Sequence, residues 1–173
     1  MSAHQQQYGD DVPFETLQNF PQTPDLSGQI DDDSIPASTV PVHLTIKQVK
    51  PDVYEKDGVP AVAKLRIRLA IGPDGIDGDG RYAKRQFWIP FITYVDPEVY
   101  PKWVNFGIEY SSLLKALGYD AAKPPQVNDG FLGDLVDREF TATIRRVKRQ
   151  VKVDGVYRDT EEFENKLARI KAA

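Results

Sequence analysis

The strongest constraint on the fold is the unbroken alternation of apolar and polar residues over positions 64–71. Successive side chains of a β-strand point to opposite faces of the sheet, so this pattern predicts a strand with one apolar and one basic face. The apolar face comprises Leu65, Ile67, Leu69 and Ile71, and the basic face comprises Lys64, Arg66 and Arg68. We therefore expect a sheet with a hydrophobic core on one side and a cationic stripe on the other.

Two neighbouring segments extend the predicted sheet. Residues 42–47 alternate as a strand with one solvent-exposed face, and Asp57-Gly58 predicts a tight turn into the basic strand. Residues 84–94 are apolar on both faces, and Pro90 restricts this strand to a sheet edge or a bulge. One row of this strand contains Phe87, Ile89 and Phe91, and the other contains Trp88, Ile92 and Tyr94. The second row either packs under a loop or offers a stacking surface for bases.

The last long strand changes its apolar parity partway along. Phe140, Ala142 and Ile144 share one parity, and Val147, Val151 and Val153 have the other. A bulge inserts one residue and reverses the alternation, so we predict a bulge at Arg145-Arg146. Asp154-Gly155 then predicts a second hairpin.

The C-terminal segment fits two structures. A helix beginning near Asp159 and Thr160 would present Phe163, Leu167 and Ile170 on one side, and a closing strand is the alternative. The spacing of the apolar residues favours the helix.

Two shorter helices are predicted between the strands. Residues 111–118 have a serine at the N-cap, leucines on one side and Gly118 at the C′ position. Residues 131–136 predict one further turn of helix. The acidic loop at residues 72–80 does not supply calcium ligands at the required positions after Asp77, so we expect a flexible hairpin loop and no metal site.

Residues 1–40 differ in composition from the rest of the chain. They contain seven carboxylates and neither lysine nor arginine, with four prolines and few apolar residues. This composition predicts a disordered acidic arm. The remaining residues, 41–173, form one domain of ordinary size in which 22 basic residues outnumber 19 acidic ones. The net charge of −4 therefore hides a mildly cationic domain, which suggests a polyanionic ligand.

Several functional classes are disfavoured by composition. The chain has no cysteine, no apolar run near the roughly 20 residues that span a bilayer, and no N-terminal secretory pattern. We therefore expect a cytoplasmic protein without membrane contact. Its two histidines, His4 and His43, accompany no recognisable nucleophile motif, so we expect a binding protein rather than an enzyme, with no cofactor.

The order of these segments resembles the single-stranded-DNA-binding OB-fold proteins of bacteriophage replication and recombination modules. The resemblance covers about residues 40–171 and is carried by residues 64–71, 85–91, 113–118, 137–142 and 165–170. It implies a mainly β fold, an OB-fold-like five-stranded barrel with one or two short helices and the disordered arm, in the cytoplasm of a phage host. Asp137 stands where such proteins typically have glycine, and aspartate tolerates the left-handed conformation better than most residues.

The resemblance implies largely sequence-independent binding of single-stranded DNA by cations that contact phosphates and aromatics that stack on bases. The candidate residues are Lys64, Arg66, Arg68, Lys84, Arg85, Trp88, Tyr94, Trp103, Arg145, Arg146, Lys148, Arg149, Lys152 and Tyr157. The alternative is a phage adaptor or structural protein that docks a partner chain through an OB-like barrel. The sequence leaves open whether the protein forms a homodimer.

The acidic arm contains a candidate docking motif. Asp10, Asp11, Val12, Pro13 and Phe14 are similar to the acidic Asp-Asp-Ile-Pro-Phe tip of bacterial single-stranded-DNA-binding proteins, which recruits replication and repair enzymes. The resemblance implies that replication or recombination proteins bind here. We also predict that the arm competes with DNA for the cationic groove.

Overall fold

The computed structural model describes residues 35–173, which form an antiparallel sheet of five strands with two short α-helices and one 3₁₀ turn. The strands are β1 (Val42–Lys56), β2 (Val59–Ile71), β3 (Gln86–Val95), β4 (Glu139–Val153) and β5 (Val156–Ala172). The helices are α1 (Ile108–Ala116) and α2 (Asp129–Leu135), and the 3₁₀ turn is Gly80–Tyr82. The predicted mainly β class is therefore confirmed.

The strand order is β3-β2-β1-β4-β5, and the sheet is not closed. β3 and β5 are its two edges, and residues of both strands line common cavities. Pro90 lies on β3, in agreement with the prediction that proline restricts this strand to an edge. In the centre of the sheet, β1 and β4 pair only from Val42↔Ala142 to Thr45↔Glu139.

The apolar rows predicted for the strands form the core. Leu65, Ile67 and Leu69 of β2 are fully buried with Phe140 and Ile144 of β4. Full burial of one such side chain contributes about 1.5–3 kcal/mol. Both helices add to this cluster, α1 through Leu113 and Leu114 and α2 through Phe131 and Leu135. One face of the central sheet is thus buried against the core, and the opposite face is available to ligands.

Both predicted Asp-Gly hairpins are confirmed. Asp57 and Gly58 have φ angles of 54° and 77°, and Asp154 and Gly155 have 52° and 78°. Two consecutive residues with positive φ connect the strands with the twist that a two-residue hairpin requires. The same geometry appears at Asp137, whose φ of 66° matches the left-handed conformation expected for the position that resembles a glycine site.

The bulge predicted at Arg145-Arg146 is wrong. Pairing with β5 continues through Arg145↔Lys166 and Arg146↔Asn165, and the irregularities lie elsewhere, between Thr141 and Thr143 and between Lys148 and Gln150. Beyond Ile144 the two strands form a ribbon whose side chains are largely exposed. Neither face of the ribbon is covered by the core. The alternation of apolar residues along it therefore does not show which side chains are buried.

The C-terminal helix is also wrong, since residues 156–172 form β5. Thr141 and Thr143, two residues apart, pair with Lys171 and Ala168, three residues apart, so β5 contains an extra residue. Arg169 within this interval has a φ of 52°. This bulge allows Leu167 and Ile170 to contact the core from a strand despite their three-residue spacing. The spacing that favoured a helix is therefore produced by a bulge.

Helix α1 begins three residues before the predicted start. Gly107, with φ 79°, occupies the N-cap, so Ser111 and Ser112 lie inside the helix. Its end agrees with the prediction, because Gly118 follows the C-cap residue Leu117 with φ 86°. The helical turn predicted at residues 131–136 is confirmed as α2, which Asn128 caps by accepting a hydrogen bond from the Phe131 N–H.

Residues 35–40, which the sequence assigned to the arm, lie against the sheet. Ile35 is buried, and its carbonyl accepts a hydrogen bond from the Asn165 side chain at 2.7 Å. Ser38 pairs with Ile144 through two hydrogen bonds of 2.8 Å. The folded region therefore begins before the predicted boundary at residue 41. Residues 1–34, including the candidate docking motif at residues 10–14, lie outside the described residues.

The loop after β2 holds this entering segment in place. The Asp77 carboxylate accepts hydrogen bonds from the backbone N–H groups of Thr39 and Val40 at 2.9–3.1 Å. These donors hold the pKa of Asp77 below its ordinary value. Asp79 caps the 3₁₀ turn and forms a salt bridge with Arg81 at 2.7 Å, and the hydrogen bonds from Arg81 lower the pKa of Asp79. None of the helices within residues 35–173 has the length and apolar character needed to cross a bilayer.

Candidate nucleic-acid interface

The outward face of β1, β2 and β3 carries three rows of side chains that follow the strand register. The rows are Gln48–Arg68–Trp88, Lys50–Arg66–Pro90 and Asp52–Lys64–Ile92. The core residues of β2 occupy the alternate positions, so the basic residues of this strand point away from the core. The predicted cationic stripe is therefore confirmed as one face of the sheet.

Lys50 joins this face because β1 contains a bulge. Ile46 pairs with Leu69 and Gln48 pairs with Arg68, which leaves Lys47 as an extra residue on β1. The bulge turns Val49 toward the core and Lys50 toward the outer face. Sequence reasoning missed Lys50, and the only signal for it was the apolar Val49 at an odd spacing from Ile46.

Trp88 is at the centre of this surface, which we call the Trp88 cluster (Lys50, Arg66, Arg68 and Trp88). The Lys50 Nζ lies 5.3 Å from the Trp88 ring centroid, and the guanidinium carbons of Arg66 and Arg68 lie at 5.5 and 5.7 Å. Each distance is within the range of a cation–π contact. The Trp88 side chain is still 36% exposed, so part of the indole is open to a ligand.

The one carboxylate in these three rows, Asp52, does not pair with a cation of the cluster. Asp52 forms a salt bridge of 3.5 Å with Lys64, directly opposite it in the register, so Lys64 is partly neutralised. Lys50 and Arg66 are also directly opposite each other, and like charges in that position repel. An anion bound between them would relieve this repulsion.

The ribbon formed by β4 and β5 carries a second set of cations with aromatic neighbours. Alternate residues of β4 share a face, which groups Arg146, Lys148 and Lys152. Asn165, Phe163 and Tyr157 of β5 are their respective partners in the register. The Arg146 guanidinium lies 3.9 Å from the Phe163 ring centroid, and the Lys152 Nζ lies 5.8 Å from that of Tyr157. We call this set the ribbon face.

Phe163 was not among the predicted site residues, because the sequence favoured a helix that would turn it toward the core. Arg145 and Arg149, which were predicted, lie on the other side of the ribbon. Arg149 forms a salt bridge of 3.3 Å with Glu162 there. The five cations of residues 145–152 are thus divided, three on the ribbon face and two on its reverse.

The Trp88 cluster and the ribbon face meet at one cleft. A cavity of about 310 Å³ is lined by Trp88 and Pro90 of β3 and by Phe163 and Asn165 of β5, among other residues of these strands. Its position is the gap between the two sheet edges. The two cationic surfaces therefore flank a common groove that contains aromatic rings on both sides.

The remaining predicted residues lie at other places. Lys84 and Arg85 belong to the connection before β3, where Arg85 lies 5.8 Å from the Tyr82 ring. Thr93 is an extra residue on β3, and this bulge places Tyr94 opposite Ala63. Tyr94 is 44% exposed and the next residue, Val95, is buried, so Tyr94, like Trp88, is open to solvent. Trp103 lies in the loop after β3, edge-on to Tyr100 at 5.9 Å.

Among residues 35–173, no group of three or more histidine, cysteine, aspartate or glutamate side chains is arranged to hold a metal ion. Neither a protein-family model nor a curated protein sequence matches this chain.

Proposed function

We propose that this protein is a non-catalytic single-stranded-DNA-binding protein that contacts DNA through the Trp88 cluster. The observation that carries the proposal is one partly exposed indole within 6 Å of three cations on the open face of a sheet. Cations that contact phosphates together with aromatic rings that stack on bases are the two components of single-strand recognition. A single strand supplies both the anions and the unpaired bases.

We infer that the sheet is an OB-fold type of barrel, with its opening between β3 and β5. OB-folds are five-stranded and partly open, and they bind oligonucleotides on the face of strands 2 and 3 and on the loops after strands 1 and 4. Arg66 and Arg68 lie on β2, and Trp88 lies on β3. The ribbon face occupies the region of the loop after strand 4. The cluster therefore coincides with the surface that this fold uses for oligonucleotides, and the phage replication role rests on the sequence resemblance.

Sequence preference in such a site is small. Stacking on Trp88 contributes about 1–3 kcal/mol for any base, since every base has an aromatic face. The cations contact phosphates, which are the same at every position. Binding should therefore depend strongly on salt and weakly on base identity.

The test is fluorescence anisotropy with a labelled oligothymidylate of about 20–30 nucleotides, long enough for at least one OB-fold site. If Lys50, Arg66, Arg68, Arg146 and Lys148 each neutralise one phosphate, log K should fall against log salt with a slope of about −3.5. Trp88→Ala should weaken binding about 10-fold or more through the lost stacking. The double variant Arg66→Ala/Arg68→Ala should make the slope shallower by about 1.4.

The control is Lys123→Ala, which removes an exposed positive charge from the connection between the helices. It should leave affinity and salt slope within error of the parent protein. No binding at low salt, or equal binding to duplex DNA, would overturn the proposal.

A protein–protein adaptor is the second candidate. Val104 and Ile108, in and after the loop that follows β3, have large exposed fractions. Contiguous exposed apolar groups are typical of interaction surfaces, and these two residues lie four positions apart in the chain. Failure of DNA binding in the experiment above would favour this function.

A further inference from the structure

A second aromatic cavity lies apart from the Trp88 cluster, between the loop after β3 and the start of β5. It is lined by Val99, Tyr100, Pro101, Lys102, Trp103 and Tyr157 and has a volume of about 610 Å³. Tyr157 is 66% exposed and Trp103 is 42% exposed. Large aromatic side chains are usually covered, so two open rings at one cavity indicate a surface for a flat apolar group.

The charge around this cavity is positive. Its lining includes Lys102 and no carboxylate. Lys152 adds a second ammonium group 5.8 Å from the Tyr157 ring centroid. A ligand that combines a flat aromatic group with a negative charge is therefore favoured over an uncharged apolar one.

The ribbon face connects this cavity to the groove at Trp88. Arg146 lies beside Phe163 at the groove, and Lys152 lies beside Tyr157 at the cavity. Both residues belong to β4, so the six-residue step corresponds to about 20 Å along the strand. Lys148 lies between the two ends on the same face. Between Lys148 and Lys152, the side chain of Gln150 donates a hydrogen bond to Asp159 at 2.9 Å, so three cations and one carboxylate lie along this path.

We propose that the cavity between Trp103 and Tyr157 is a second base-stacking site for the same DNA strand, reached from the Trp88 cluster along the ribbon face. This inference rests on the proposed function. The phosphates between the two sites would follow Arg146, Lys148 and Lys152, and the bases at each end would stack on aromatic rings. Short strands occupy one site, and only longer strands reach both.

The chain's tryptophan content makes the two sites separately observable. Trp88 and Trp103 are the two tryptophans of the sequence. Trp88→Phe leaves Trp103 as the sole indole and keeps an aromatic ring at position 88, and Trp103→Phe does the reverse. Each variant is titrated with oligothymidylates of about 4 and about 16 nucleotides, the limits of OB-fold site sizes. Circular dichroism and thermal unfolding establish that each variant is folded.

We expect the long oligonucleotide to quench the emission of both variants. The short one should quench Trp88 in the Trp103→Phe variant and leave Trp103 in the Trp88→Phe variant unchanged. Unchanged Trp103 emission at full occupancy by the long strand, with quenched Trp88 emission, would overturn the second site alone. Absence of binding to either strand by the parent protein would overturn the proposed function with it.

Affinity provides an independent measurement that does not depend on tryptophan. Tyr157→Ala should weaken binding of the long strand about 10-fold and leave the short strand unaffected, as expected for one lost stacking contact. Tyr54→Ala is the matched control, because Tyr54 is a comparably exposed tyrosine near the tip of the other hairpin. Equal effects of the two variants would contradict the proposal. A shift of Trp103 emission with protein concentration in the absence of DNA would instead assign the cavity to a second copy of the chain.

Discussion

The Trp88 cluster and the ribbon face have similar compositions, but only the strands of the Trp88 cluster pack on the hydrophobic core. The basic residues of β2 alternate with Leu65, Ile67 and Leu69, which are buried, so the core fixes the side of the sheet on which the cations lie. On the ribbon, Arg146 and Arg149 lie on opposite faces, and neither face is covered by a core. A buried row determines register strongly, whereas a two-sided polar ribbon determines it weakly. The same type of sequence is therefore oriented by a buried core in one region and by strand pairing and exposed side-chain contacts in the other.

The largest expected difference between the two regions is in stability. Ile67→Ala removes a fully buried side chain and should lower the free energy of unfolding by about 2–5 kcal/mol. Val151→Ala on the exposed ribbon should change it by no more than about 0.5 kcal/mol. Urea denaturation of both variants measures these values. Comparable losses would show that the ribbon is packed as firmly as the core.

A smaller effect separates the two faces of the ribbon. Arg146→Ala removes a cation beside Phe163 and should reduce DNA affinity several-fold, with a salt slope shallower by about 0.7. Arg149→Ala is the matched variant, because Arg149 is already paired with Glu162 on the reverse face. It should have little effect on either quantity. A stronger effect of Arg149→Ala would mean that DNA contacts the reverse side.

A third comparison is between residues 35–40, which contact the sheet, and the acidic residues that precede them in the sequence. If the acidic arm competes with DNA, deleting residues 1–30 should strengthen binding at low salt by less than Arg146→Ala weakens it. Deletion must stop before Ile35, because removal of residues 35–40 would also remove the contacts of Ser38 with β4. Unchanged affinity after deletion of residues 1–30 would refute the competition.

The attachment of that segment depends on pH. Asp77 has a lowered pKa in the folded protein, so its contribution is complete above the unfolded value of about 3.9 and is lost as the pH falls through the lower folded value. Asp77→Asn should therefore accelerate amide exchange at Thr39 and Val40 near neutral pH. Hydrogen exchange followed by mass spectrometry measures this rate. Exchange equal to that of the parent protein would show that the segment is held by other contacts.

The smallest effect is expected at Tyr110. Its hydroxyl is buried and has no hydrogen-bond partner among the described residues. Burial, with a smaller contribution from Tyr119, raises the pKa of Tyr110 above its ordinary value of 10.0, so unfolding becomes easier as the pH rises from about 10. Tyr110→Phe should be neutral or slightly stabilising near pH 7, because it removes an unsatisfied polar group. A clear loss in thermal unfolding temperature would indicate an unrecognised partner of the hydroxyl.

The parts of the fold that sequence could predict are those with a covered face or a distinctive turn. The alternation at residues 64–71 fits only a strand with one buried face, and each Asp-Gly pair fits only a tight hairpin turn. Bulges are different, because the extra residue at Lys47, Thr93 or Arg169 is not a glycine, and the odd apolar spacing that a bulge produces also fits other structures. The bulges at Lys47 and Arg169 account for the missed Lys50 and the mistaken C-terminal helix.

The candidate site could likewise be predicted only where its strands have a buried face. The basic stripe and Trp88 followed from strand parity, since both lie on strands with a buried row. The contribution of Phe163 and the division of the cations of β4 could not be derived, because they depend on which face of an uncovered ribbon turns toward β3.

The four-residue pairing of β1 with β4 has a consequence for how the protein opens. The two hairpins close locally, whereas this pairing joins segments about a hundred residues apart and must form late. Few hydrogen bonds cross this junction, so we expect the hairpin halves to behave as separate cooperative units in native-state exchange. Motion at this junction, with each hairpin intact, would shift β5 relative to β3 and so change the width of the groove between them.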